Sequence, residues 1–121
     1  DANIQVAGNR ALLLAALGNI LQNAFKFTRS GTLVTLRARA GEHEVDVEVE
    51  DHCGGLKGGA EDDLFRPFAQ RGSDGSGLGL GLSIAKLTVE AQGGHLRVRN
   101  LPGKGCIFSM RLPIAHADGG R

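Results

Sequence analysis

Two stretches of strict alternation, Thr32-Leu33-Val34-Thr35-Leu36-Arg37-Ala38-Arg39-Ala40 and Glu44-Val45-Asp46-Val47-Glu48-Val49-Glu50, are separated only by Gly41-Glu42-His43. A period of two sends apolar and charged side chains to opposite faces of a strand, so the pair predicts a hairpin with one wet face. Upstream the period changes. Over residues 11–28, Leu13, Leu17, Ile20, Leu21, Ala24, Phe25 and Thr28 fall on one face of a helix, and Asn19, Asn23 and Lys26 lie together on the opposite one. Asn9 stands where a helix cap is needed, and Ile4-Gln5-Val6 before it alternates like a short edge strand. Downstream, Glu61-Asp62-Asp63-Leu64-Phe65 suggests a helical turn ended by Pro67, and a second helix runs to about Gln92, where Gly93-Gly94 stops it. A second hairpin follows, residues 95–99 and 106–112 around Pro102-Gly103-Lys104-Gly105. Helix, hairpin, loop, helix, hairpin predicts an α+β two-layer sandwich, with helices on one face of a mostly antiparallel sheet.

With 121 residues, 41% of them hydrophobic, the chain has enough apolar surface for one core. We expect one domain over residues 1–113 and a flexible tail over 114–121. The formal net charge is +1, with Arg and Lys scattered among Asp and Glu, so no footprint for nucleic acid is present. No apolar run is long enough to span a membrane and the first residues carry no secretory signal, which predicts a soluble, cytoplasmic domain without membrane contact of its own. Cys53 and Cys106 lack CxxC or metal spacing and read as free thiols of a reducing compartment. His43, His52, His95 and His116 are isolated, so a zinc site is not expected.

Gly75, Gly77, Gly79 and Gly81 alternate with Ser76, Leu78, Leu80 and Leu82 directly before the second helix. Glycine lets backbone close around a ligand, and a helix N-terminus adds unpaired N–H groups and a positive dipole end, together a place for phosphate. The loop is neither of the common phosphate fingerprints. The one Gly-Lys pair, Gly103-Lys104, has Val98 where a P-loop needs its first Gly, and a dinucleotide pattern set on Gly75 or Gly77 meets Leu80 or Leu82 at its third Gly. Three leucines also argue against a plain linker.

Four segments recur in a known order: Asn19-Ile20-Leu21-Gln22-Asn23-Ala24-Phe25-Lys26-Phe27-Thr28, Asp51-His52-Cys53-Gly54-Gly55-Leu56, Leu64-Phe65-Arg66-Pro67-Phe68 and Gly75-Ser76-Gly77-Leu78-Gly79-Leu80. In order and spacing they resemble the N, G1, F and G2 boxes of the catalytic and ATP-binding domain of sensor histidine kinases, in the GHKL superfamily of gyrase-like ATPases. The resemblance implies ATP and Mg²⁺ as cofactors. It implies Asn23 as the Mg²⁺ ligand, its amide oxygen suiting a hard cation, with Asn19 and Lys26 beside it and Lys26 offsetting phosphate charge. Asp51 would accept from the exocyclic amine of adenine, with Gly55 beside the base. Phe65 and Phe68 would belong to a mobile lid that continues over residues 70–76, and Gly75, Gly77, Leu78, Gly79 and Leu80 would line the phosphates. Core packing accounts for either Phe equally well. Arg66, Gln70 and Arg71 are further candidates for the γ-phosphate.

The chain departs from the pattern twice. Cys53 replaces the first Gly of Asp-x-Gly-x-Gly, which implies a narrower approach or an altered turn. Cys106 stands where Ser or Thr usually joins adenine through water, and a thiol is the poorer partner. Both imply weakened nucleotide affinity.

Hydrolysing members of the superfamily carry Glu four residues before the Mg²⁺-binding Asn. Here that position is Asn19, which cannot take a proton, so phosphoryl transfer to protein is favoured over hydrolysis. The acceptor implied is a His on a dimerisation domain absent from this chain, in a parent kinase, either free or anchored in the inner membrane, that passes phosphate to a response regulator. The alternatives are an anti-sigma-type serine kinase and a degenerate nucleotide-binding or protein-interaction module.

Overall fold

The computed structural model describes residues 5–56, 63–68 and 80–115. Its first helix, α1, spans Arg10–Phe27, and Asn9 caps it by accepting from the Leu12 amide through Oδ1 at 3.0 Å. At the far end the Thr28 amide reaches the Ala24 carbonyl at 2.9 Å, and Lys26 lies in the last turn, where a cation suits the helix dipole. The buried seam is Leu13, Ala16, Ile20 and Ala24, with Leu17 and Leu21 at its margin. Phe25, expected on that face, is 65% exposed, because it stands one residue, about 100° of turn, beyond Ala24.

β1 (Thr35–Ala40) and β2 (Glu44–Asp51) form the expected hairpin. The second helix, α2, spans Gly81–Ala91 and starts two residues earlier than the polar pattern suggests, since Leu82 is a core residue of its first turn. It ends as the glycine pair requires. Gly93 adopts φ +85° and its amide meets the Glu90 carbonyl, while the Gly94 amide meets Val89, the two bonds of a Schellman motif. β3 (His95–Leu101) and β4 (Gly105–Pro113) make the second hairpin.

The four strands are ordered β1-β2-β4-β3, every neighbour antiparallel. The alternation sorts the two faces. Val45, Val49, Leu96, Phe108, Met110 and Leu112 are buried toward the helices, and Ile20, Leu96 and Phe108 retain at most 1% of their surface. A side chain removed from water to that extent contributes about 1.5–3 kcal/mol. The other face carries charge: Arg37 bonds Glu50 at 2.9 Å and Glu48 at 3.2 Å, and Arg111 bonds Asp46 at 2.9 Å. Bonds from Glu50 and then Glu48 push the Arg37 guanidinium above its usual range, and Asp46 does the same for Arg111, so both cations persist at any working pH.

The expected edge strand near the N-terminus is a single antiparallel bridge, Val6 to Ile114. The Ala7 amide donates to Pro113 at 2.9 Å and the Ala115 amide to Gln5 at 2.8 Å, so residues 114 and 115 are held against the segment before α1. Residues 116–121 lie outside the described residues.

Candidate functional site

β2 ends at Asp51, and the β2–β4 register sets it opposite Cys106. The position has the same parity as Val45 and Val49, so the Asp51 side chain turns toward the helices, and it has no exposed surface. A buried carboxyl group needs donors. Oδ1 accepts from the backbone amides of Cys53 at 3.2 Å and Cys106 at 3.3 Å, and the Cys106 thiol lies 3.6 Å from Oδ1 and 3.5 Å from Oδ2. Gly105 permits this approach, because a Cβ there would stand 1.9 Å from the Asp51 carbonyl oxygen.

The turn after Asp51 is fixed by β3 and by the turn between β3 and β4. The Leu56 amide donates to Asn100 Oδ1 at 2.7 Å, Asn100 Nδ2 returns a bond to the Leu56 carbonyl at 3.3 Å, and the Gly54 amide meets Lys104 at 2.9 Å. Gly54 and Gly55 both take φ +99°, and a Cβ on Gly55 would come 2.8 Å from the Gly103 nitrogen. Glycine at 55 is therefore required by the turn itself. Cys53 needs no special backbone: among the described residues Phe68 is the only non-glycine with positive φ. The altered turn expected from the missing first Gly is met by ordinary geometry at 53.

Two hydrogen bonds join this turn to the end of α1. The His52 amide donates to Thr28 Oγ1, and the Arg29 amide to the His52 carbonyl, each at 3.0 Å. Further back on the same helix, Asn19 and Asn23 are half-buried and Lys26 is exposed. The polar stripe does not simply face solvent opposite the core. Asn19 Cγ lies 3.9 Å from where a Cβ on Gly81 would be, so the stripe borders the first turn of α2. The apolar seam is narrow enough that Asn19, one position before Ile20, still meets the neighbouring helix.

The start of α2 follows the glycine loop directly. Leu80 is half-buried and its carbonyl accepts from the Ile84 amide and the Ser83 hydroxyl, each at 2.9 Å. Gly75, Gly77, Leu78 and Gly79, with the lid expected over residues 70–76, lie outside the described residues.

Phe65 and Phe68 separate clearly. Phe65 packs edge-on against Phe108, centroids 6.2 Å apart at 89°, and Lys86 Nζ sits 5.1 Å from its ring. It is part of the core margin. Phe68 is 67% exposed and holds φ +66°, a left-handed conformation that L side chains adopt at a cost.

Asp51, Cys53, Cys106 and the end of α1 are thus brought to one side of the sheet, near one another through β2, while Asn19 meets the N-terminus of α2. A shallow concavity lined by Arg97, Arg99, Ser109 and Arg111 lies on the charged face, across the sheet from Asp51. Sequence reasoning missed Asn100 and Thr28, which hold the turn after Asp51, and the meeting of Cys53 with Cys106. The strand register is the signal that could have paired Asp51 with Cys106; for Asn100 the signal is its inward parity on β3. Among the described residues, no helix is long and apolar enough to cross a membrane.

The profile of one protein family, described as Histidine kinase-, DNA gyrase B-, and HSP90-like ATPase, matches residues 8–116. The chain is 34% identical to the alginate biosynthesis sensor protein KinB of Pseudomonas aeruginosa, over 88% of this chain and 18% of that protein. It is 36% identical to the sensor protein KdpD of Rathayibacter rathayi, over 93% of this chain and 13% of that protein. It therefore corresponds to a small part of each relative. Among solved structures, the mycobacterial sensor histidine kinase MprB superposes with a TM-score of 0.82 at 28% identity, over 92% of this chain and 76% of that one. Full-length ShkA, solved in complex with AMPPNP, gives 0.80 at 33% identity, over 93% of this chain and 23% of that one. The α+β fold and the homology to sensor histidine kinase catalytic domains agree. The chain belongs to the Histidine kinase-, DNA gyrase B-, and HSP90-like ATPase family, a membership that carries ATP binding with it.

Proposed function

We propose that this chain is the catalytic domain of a sensor histidine kinase, binding Mg-ATP and giving the γ-phosphate to a histidine on a dimerisation domain of its parent. The observation that carries the reading is Asp51, a fully buried carboxylate at a strand end in an ATP-binding fold, fixed by the Cys53 and Cys106 amides. A carboxylate oriented by backbone donors suits recognition of an amine on a flat heterocycle, and adenine presents one. The phosphates would extend from there toward the start of α2, where a helix N-terminus offers backbone N–H groups and the glycines of the preceding sequence would add theirs. Asn19, Asn23 and Lys26 would border that path from α1, a reading supported by Asn19 lying beside Gly81, and Asn23 would hold Mg²⁺, which when bound would offset phosphate charge.

The transfer is a displacement at phosphorus: an imidazole nitrogen of the acceptor forms the new N–P bond as the bond to the bridging oxygen breaks and ADP leaves. Asn19 has no basicity to activate water, which keeps hydrolysis slow beside transfer. Phe65 supports the domain as a packed core residue, and Phe68 is exposed where a lid would begin. In the parent, the phosphoryl group would pass to an aspartate of a response regulator, with the domain on the cytoplasmic side of an inner-membrane anchor.

The Cys106 thiol against Asp51 favours one second reading, a module whose nucleotide site has decayed, since it occupies the carboxylate with a weak partner. The two readings separate when the His-bearing helical hairpin is supplied in trans with γ-labelled ATP. We expect acid-labile, base-stable label on the hairpin and none on this chain alone. An unlabelled hairpin, with both proteins folded, would contradict the kinase reading.

A further inference from the structure

Cys53 Sγ, Cys106 Sγ and an Asp51 carboxylate oxygen all lie within 4.8 Å of one another. Cys53 and Cys106 are 53 residues apart by number and have no metal-like spacing in the sequence. The β2–β4 register and the turn after β2 bring them to one carboxylate. Neither is in a disulfide. From this geometry we propose that Asp51, Cys53 and Cys106 form a binding site for a thiophilic divalent cation of the zinc class.

The distances fit the chemistry. With Zn–S near 2.3 Å and Zn–O near 2.1 Å, ligand atoms on a tetrahedron stand about 3.6–3.8 Å apart. The Cys106 Sγ to Asp51 Oδ2 separation, 3.5 Å, already has that value. Cys53 Sγ has to close on Cys106 Sγ by no more than roughly 1 Å, a side-chain rotation on a half-buried turn residue. Ligation through Oδ2 leaves the two backbone bonds to Oδ1 in place, where they orient the carboxylate as outer-shell donors do. As the cation binds, two S–H protons pass to solvent and two metal–sulfur bonds form. Two sulfurs and one oxygen exclude Mg²⁺ and Ca²⁺, which take oxygen ligands, and leave the fourth position to water, reached from the partly exposed side of Cys53.

The site shares Asp51 with the adenine contact. A cation on Oδ2, with Cys53 drawn toward it, removes the acceptor that the adenine amine needs, so cation and base exclude each other. That exclusion rests on the proposed nucleotide site; the cation site does not.

The test uses Co²⁺ and Zn²⁺ alone on the whole chain, kept reduced by a non-thiol reductant. Co²⁺ should bind one per chain with a thiolate-to-cobalt charge-transfer band, displaced by Zn²⁺. The band should fall in Cys53→Ser and in Cys106→Ser, and vanish in the double variant while circular dichroism stays that of the parent. Absence of the band in the unmodified chain, or its persistence at full strength in either single variant, would overturn the site. Adenosine, which carries no phosphates to chelate the cation, then reports on exclusion. At zinc about tenfold above its own dissociation constant, apparent adenosine affinity should drop about tenfold. Adenosine binding unaffected by bound zinc would overturn the exclusion. No adenosine binding beside an intact cobalt band would contradict the nucleotide reading and leave the cation site standing.

Discussion

At the scale of single residues, Asp51 shows why burial raises the cost of a change. Two backbone amides, of Cys53 and Cys106, end on one of its oxygens in a place with no water contact. Asp51→Ala strands both donors, and an unsatisfied buried donor costs about 1–3 kcal/mol, so chemical denaturation should show a loss of about 2–4 kcal/mol. Asp51→Asn keeps an oxygen for those amides but places an NH₂ group where the carboxylate had a second acceptor. It should fold and lose nucleotide affinity by at least about tenfold, or 1.4 kcal/mol. If Asp51→Asn binds ATP as the unmodified chain does, Asp51 is structural and its place in recognition falls. The residue scale is also where the sequence was least legible. Asp51 at a strand end, taken alone, is more often a turn residue than a ligand contact; only the register that puts Cys106 opposite it shows its burial.

At the scale of elements, legibility follows period and punctuation. The Val/charge alternation of β2 and the apolar spacing of α1 each repeat several times, so both elements and their wet and dry faces could be read directly. Gly93-Gly94 announced the end of α2 and does end it, with both bonds of the cap formed. The start of α2 was harder to see, because Gly81-Leu82 looks like more of the glycine loop until Leu82 is found in the core. Phe25 was misplaced for a related reason: a helix face drawn from hydrophobicity is wider than the seam that a small sheet can cover. The element most sensitive to its glycines is the second hairpin. Gly105→Ala would drive a Cβ to 1.9 Å from the Asp51 carbonyl oxygen, a backbone contact that cannot move aside. We expect a loss of more than about 3 kcal/mol, with nucleotide binding lost as Asp51 shifts. Gly103→Ala, two residues earlier, meets open space and suffers only from its φ of +73°, about 1 kcal/mol. Thermal melting of the two variants side by side checks the contrast, and equal losses would mean that β2 and β4 do not meet as closely as described.

At the scale of the whole molecule, the described residues place two helices on one face of a four-stranded sheet, and the end toward the C-terminal half of α1 is bordered by the start of α2 at Asn19 and by the turn after β2 at Thr28. The architecture and that end were legible because four short motifs occur in order, each weak by itself. The part expected to face the phosphates, Gly75, Gly77, Leu78 and Gly79, lies outside the described residues and is read from the sequence alone. In the proposed function this end binds ATP through Asp51 and holds the metal through Asn23. The decisive experiment is calorimetric titration of ATP with and without Mg²⁺, into the unmodified chain and Asn23→Ala. We expect binding that is strengthened by Mg²⁺ in the unmodified chain, with that strengthening lost in Asn23→Ala while the fold is kept. No ATP binding by the folded unmodified chain, or an Mg²⁺ dependence that survives Asn23→Ala, would contradict the proposed function.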